Sequence, residues 1–201
     1  MRAYSFRMIA IAQAAAATIA VAQVNDPAQA PVQALNDGLL GLMKAGKPAG
    51  IKGRVAAIAP VVDRVYDLPL MTRLAVGSAW TTIGAADQVA LIAAFRRMTI
   101  SQYASNFDGF SGQSFLIAPK VDVRGTDRLV RTALNSRGAA PIAIAYRLRP
   151  NNGSWRIIDV FYRDSISQLA TRRADFSAIL ASGGAKALVA HMNALSTKVG
   201  G

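Results

Sequence analysis

No cysteine and no glutamate occur in the 201-residue chain, and there is one histidine. Without cysteine there are no disulfides, thiolate metal sites or cysteine nucleophiles, and an exported domain would rest on its apolar core alone. His191 has no cysteine or acidic neighbour at metal spacing, so a zinc site or a histidine triad has little to build from. Serines such as Ser165 and Ser167 lack a Gly-x-Ser-x-Gly elbow. Gly109-Phe110-Ser111-Gly112 is too short for a phosphate loop and reads as a turn. Aromatics are only 7% of the chain, and alanine supplies much of the 52% that is apolar.

Apart from the N-terminus, no segment is long and apolar enough to span a bilayer. Arg2 and Arg7 precede an apolar run over residues 8–21, and Ala20-Val21-Ala22 places small residues where a signal peptidase reads them. We therefore expect a signal peptide at 1–22, a flexible lead-in at 23–31, one domain at 32–196 and a frayed tail at 197–201. With no cysteine after the cleavage site, a lipoprotein of the usual bacterial type is excluded. The chain carries a net charge of +12, which becomes +10 once Arg2 and Arg7 are removed, and all eleven acids are aspartate. Such a balance favours anionic partners, and export argues against nucleic acid.

Val32, Leu35, Leu39, Leu42 and Met43 recur at helical spacing, closed by Gly46 and Pro48. Val55, Ile58, Val62 and Val65 repeat the pattern, with Pro60 bending the helix or marking its first turn. A short helix over 68–75 ends at Gly77. The longest helical signal starts near Asp87 and carries Leu91, Phe95, Thr99, Tyr103 and Phe107 four apart, stopping at Asp108-Gly109. The period then changes to two, predicting strands at 113–117, 129–134, 142–148 and 155–161, with a hairpin at Asn151-Asn152-Gly153. After Asp164, a candidate helix cap, Ile166, Leu169, Arg173, Phe176 and Leu180 return to helical spacing. That helix breaks at Gly183-Gly184, before a last helix with Leu188, Met192 and Leu195. The order predicts an α+β fold: an antiparallel sheet of about four strands, with N- and C-terminal helices packed on one face around an apolar cavity.

Large residues on the long helix and sheet face small ones, Ala93, Ala94, Ala143, Ala145 and Ala170, an arrangement that permits an unfilled interior. Periodicity nominates a lining: Phe95, Met98, Tyr103 and Phe107 from the long helix; Leu129, Ile142, Ile144, Tyr146, Ile158 and Val160 from the strands; Ile166 and Leu169 from the next helix. Arg131, Arg147, Arg149 and Arg156 fall on the open sheet face or edge. There they serve either as a solvated surface or as a docking face for anionic groups. Asp63 or Asp159 with a tyrosine offers the ingredients of acid–base chemistry in a small cone-shaped α+β pocket enzyme. A basic adaptor with a filled core is a third possibility.

The motif order resembles the MlaC, or toluene-tolerance, family of periplasmic lipid-binding proteins. The resemblance is carried by Tyr66-Asp67-Leu68-Pro69-Leu70-Met71, Val76-Gly77, Trp80, Ala94-Phe95-Arg96, Tyr103-Ala104, Phe107 and Gly112. It continues through Ile144-Ala145-Tyr146-Arg147-Leu148, Trp155-Arg156-Ile157-Ile158-Asp159-Val160 and Arg173-Ala174-Asp175-Phe176, so that it spans residues 32–195. Ser165-Ile166-Ser167-Gln168-Leu169 is closer to that family's hopanoid-associated branch, called HpnM. Gly84-Ala85-Ala86-Asp87 stands where the family's usual Thr-Pro-Glu would cap a helix. The resemblance implies a periplasmic, monomeric, non-enzymatic carrier without cofactor, moving phospholipid or hopanoid lipid between inner and outer membranes. Its implied partners are an inner-membrane transport complex and an outer-membrane acceptor.

Overall fold

The computed structural model describes residues 26–198, so the expected signal peptide lies outside the described residues. Helix α1 (Gln29–Ala45) begins inside the stretch expected to be a flexible lead-in. One local and one long-range bond explain this: Asp26 Oδ1 accepts from the Ala28 N–H at 2.9 Å, and Gln29 Nε2 donates to the Ala118 carbonyl of strand β1 (Ser114–Arg124), also at 2.9 Å. The apolar spacing read from sequence is the buried face, with Val32, Leu35, Leu39 and Leu42 in the core. Helix α2 (Gly50–Val65) follows a single 3-10 turn, and Pro60 falls in its interior. Helix α3 (Leu68–Val76) is capped by Asp67, whose Oδ1 accepts from the Leu70 N–H at 3.0 Å.

Helix α4 (Ala85–Asn106) is the central one, packed against α2, α3 and the last helix, with Leu91, Ala94, Phe95, Met98, Ile100 and Ala104 buried. Surrounded on several sides, it keeps no single apolar stripe. Gly84 heads it without a side-chain cap. Arg54 is buried and satisfied by carbonyls at two helix C-terminal ends: Nε donates to Ala104 at 2.7 Å and an Nη to Gly46 at 2.9 Å. A cation there also opposes the negative ends of both helix dipoles.

The strands are β1 (Ser114–Arg124), β2 (Asp127–Ser136), β3 (Ala139–Asn151), β4 (Ser154–Tyr162) and a two-residue β5 (Ile166–Ser167). They form one antiparallel meander in chain order, with β5 added to the four predicted. Asn152 and Gly153 both take positive φ between the paired Asn151 and Ser154, the backbone of a tight hairpin turn. Helix α5 (Gln168–Lys198) is interrupted at Gly184, whose φ of 65° breaks it where Gly183-Gly184 predicted. Asp164 does not cap this helix; with Arg163 it adopts a left-handed turn. The cap is Ser167, whose Oγ accepts from the Ala170 N–H at 2.9 Å. No helix among the described residues is long and apolar enough to cross a membrane.

The helices cover the sheet face that carries Val130, Tyr146, Leu148 and Ile157. On the other face Arg131 pairs with Asp122, and Arg147 and Arg149 clamp Asp127 from both sides at 2.6 and 2.7 Å. These arginines are therefore committed to aspartates. Arg156 donates at 3.3 Å to the Asp63 carbonyl. Hydrogen bonding from Arg149, then from Arg147, holds the buried Asp127 carboxyl below its ordinary range. Its folded value lies below the unfolded one, so its stabilisation is complete above about pH 4 and disappears as pH falls through the folded value. Asp127→Asn should lower stability by about 2 kcal/mol near neutral pH. In urea titrations the deficit should shrink at acid pH; an equal deficit at both would contradict this role.

Candidate functional site

A cavity of about 410 Å³ lies between the sheet and the helices, a size typical of small-ligand pockets. Its sheet wall is apolar, formed by Leu134 of β2, Ile142, Ile144 and Tyr146 of β3, and Val160 of β4. Its floor reaches Leu39, Met71 and Phe95, all buried. The exposed residues of the lining, Asn106, Tyr162 and Gln168, mark the mouth. The helix wall adds Thr99, Gln102, Tyr103 and Phe107 from α4, and Leu169 and Arg172 from α5.

Eight of the nominated residues stand in these walls: Phe95, Tyr103, Phe107, Ile142, Ile144, Tyr146, Val160 and Leu169. Four do not. Leu129 is one residue out of phase, because Val130 pairs with Tyr146 and Leu129 points to the opposite face beside Arg147. Ile158 is the extra residue of a bulge, since Arg147 pairs with Asp159 while Leu148 pairs with Ile157. It is buried in the core away from the cavity. Met98 is fully buried one position from Thr99. Ile166 lies in β5 rather than in a helix and is 50% exposed. The small residues expected to leave room do not line the space. Ala143 and Ala145 alternate with Ile142 and Ile144 and so face away from it.

Periodicity missed the polar part of the lining. The phenols of Tyr66 and Tyr103 hydrogen-bond to one another beside Tyr146, and burial pushes all three above the usual tyrosine range. Arg172 is half-buried, with its guanidinium 5.4 Å from the Phe95 ring centroid. It donates to Gln102 Oε1 at 2.6 Å and to the Met98 sulfur at 3.3 Å. Burial lowers its pKa, and the neighbouring tyrosines partly oppose that shift. One signal for this wall was present in sequence: Thr99, Gln102 and Asn106 follow Phe95 at steps of four, three and four, along one face of α4.

The acids weighed for catalysis lie elsewhere. Asp63 is held by Arg96 through two 2.6 Å bonds at the surface, and Asp159 binds the start of α5. Among the described residues no aspartate lines the cavity, so neither Asp63 nor Asp159 meets a tyrosine there. His191 is exposed on α5.

The tyrosine pair predicts non-additive energetics. Tyr66→Phe or Tyr103→Phe strands the remaining hydroxyl and should cost about 1–2 kcal/mol each, whereas the double variant should cost less than the sum. Urea denaturation of the four proteins measures this; strictly additive losses would show that the two hydroxyls act independently.

The structure is similar to that of a phospholipid-binding protein from Ralstonia solanacearum, solved in complex with a phospholipid. The two share 21% sequence identity and a TM-score of 0.74, over 86% of this chain and 98% of that one. No curated protein matches the sequence. The family model described as MlaC protein matches residues 33–194, from the first turns of α1 to the last turns of α5, so it takes in every wall of the cavity. The chain belongs to the MlaC family.

Proposed function

We propose that the protein is a periplasmic lipid carrier that shuttles phospholipid or hopanoid-type lipid between the inner and outer membranes and performs no chemistry on it. The observation that carries this is the cavity itself: a void of about 410 Å³ walled by Ile142, Ile144, Val160 and Leu169, deep enough to reach the core at Leu39 and open at one end. A filled core is the ordinary outcome of folding, because interiors pack to crystal-like density. An apolar space of this size therefore asks for a guest. Membership of the MlaC family supports the same reading, as does the phospholipid held by the Ralstonia solanacearum neighbour.

The energetics suit a carrier. Each methylene removed from water contributes roughly 0.8 kcal/mol, so a 16-carbon tail would strand on the order of 12 kcal/mol if it crossed an aqueous gap unprotected. Holding the tail in a folded cavity removes most of that barrier. The open mouth at Asn106, Tyr162 and Gln168 lets the polar end stay near water and lets membrane partners reach it. Those partners would be an inner-membrane transport complex and an outer-membrane acceptor, with the carrier itself a monomer.

Lipid should co-purify with the protein and appear in mass spectra of an organic extract. Ile144→Trp, which fills the sheet wall, should abolish that lipid while circular dichroism stays unchanged. A folded wild-type preparation that yields no lipid would defeat the proposal.

A further inference from the structure

The cavity opens at one end of the molecule. Strands β2 and β4 finish there at Ser136 and Tyr162, β1 and β3 begin there at Ser114 and Ala139, and α4 runs out at Asn106. Helix α1 ends at the same place, because Arg54 bonds the carbonyls of Gly46 and Ala104 together. The Gly125 turn and the Asn152-Gly153 hairpin lie at the opposite end of the sheet.

Large apolar side chains gather in the open at this end. Phe110, four residues after Asn106, is 46% exposed. Tyr162, which lines the mouth, is 38% exposed, and Ile166, its partner across the β4–β5 ladder, is 50% exposed. One such side chain alone on a surface is ordinary, whereas three beside a single opening form a patch. Cations accompany them. The Lys44 Nζ stands 5.6 Å from the Phe110 ring centroid, and the Arg163 guanidinium stands 5.4 Å from that of Tyr162. Lys47, in the α1–α2 connection, and Arg137, in the β2–β3 turn, are exposed at the same end. None of these four forms an ion pair among the described residues, although five other arginines do. The acids of these connections are Asp108 and Asp164, so four cations stand against two carboxylates.

Aromatic and aliphatic side chains beside unpaired cations are the combination that enters an anionic bilayer surface. The apolar groups reach past the headgroups while the cations stay among the phosphates. A protein partner is a poorer match, because interface centres are packed and depleted of lysine, and the centre of this patch is an open mouth. We propose that this end of the molecule is a docking face for an anionic phospholipid bilayer. Phe110 and Ile166 enter the headgroup region beside the mouth, and Lys44, Lys47, Arg137 and Arg163 lie against the lipid phosphates. Resting on the carrier function proposed above, this names the surface through which cargo enters and leaves. With the mouth pressed among the headgroups, a tail passes between bilayer and cavity without crossing water. The chain's net charge of +12 adds a longer-range attraction to the same surface.

The test is flotation of the protein with vesicles of dioleoyl phosphatidylcholine, alone or mixed with dioleoyl phosphatidylglycerol. Wild-type protein should bind the mixed vesicles at least about tenfold more tightly than the neutral ones, and less so in high salt. Lys44→Gln with Arg163→Gln should weaken binding to the mixed vesicles about tenfold, and Phe110→Ser with Ile166→Ser by a similar factor. All four residues lie outside the cavity lining, so lipid recovered from these variants by organic extraction should match wild type. Lys120→Gln, Val123→Ser and Arg124→Gln together remove as much charge from exposed positions in the far half of β1 and should leave binding unchanged. Equal flotation with neutral and mixed vesicles would overturn the proposal, as would equal losses in the far-end and mouth variants. A concentration-dependent dimer that Phe110→Ser with Ile166→Ser dissolves, without flotation of the wild type, would give this face to a second copy of the chain and also overturn it. Wild-type protein that yields lipid on extraction but never floats would overturn the docking face and leave the carrier standing. Protein that floats yet yields no lipid would uphold the docking face and bring down the carrier function.

Discussion

Asp159, buried in β4, has both carboxylate oxygens engaged. Oδ1 accepts from the backbone N–H of Val160 at 2.8 Å and of Leu169 at 3.1 Å, while Oδ2 accepts from the Ser167 hydroxyl at 2.6 Å. These bonds fix where α5 leaves the sheet, and so which of its residues face inward. Two residues earlier on the same strand, the Asp67 N–H donates to the Ile157 carbonyl at 3.0 Å and ties the α2–α3 junction to the sheet. Strand β4 thus holds helices at two points near its middle, and its cavity-lining residues, Val160 and Tyr162, follow just beyond them. If the Asp159 bonds were lost, the start of α5 would be free to settle onto Val160 and narrow the space.

That constraint separates two jobs that sequence alone blurs together. Val32, Leu35, Ile58, Val62 and Leu188 make the core at the helix junctions, where burial supplies the stability. Tyr66, Tyr103, Gln102 and Arg172 face the unfilled part, where satisfied polar contacts keep the walls apart. Rings and amides that hydrogen-bond to one another have less to gain from collapsing inward than alkyl groups would. The void therefore depends on polar side chains on its helix wall as well as on the apolar sheet opposite.

Much of the architecture was legible from periodicity, because the α+β order, the hairpin and the helix break at Gly183-Gly184 each rest on local chemistry. Ile142, Ile144 and Tyr146 were placed correctly on the cavity side since β3 alternates without interruption through them. Ile158 was not, because a bulge adds a residue to β4 and no alternation pattern reveals it. Leu129 failed by phase: Val130 and Leu129 are equally apolar, and only the pairing with Tyr146 decides which faces inward. Ile166 failed because the stretch after β4 adds a short strand before turning helical. Arg172 and Gln102 were overlooked for a different reason. A search for apolar stripes passes over polar residues that share a face with Phe95, and their value emerges only once α5 is seen beside α4.

The central claim is that this interior is built to hold a guest's hydrocarbon tails. A crystal structure of protein purified without delipidation tests it most directly. Continuous elongated density should run from the mouth at Gln168 and Asn106 along Ile142 and Ile144 to Leu39 and Met71. A cavity closed by inward rotation of Tyr103, Phe107 and Leu169, or holding only ordered water, would contradict it.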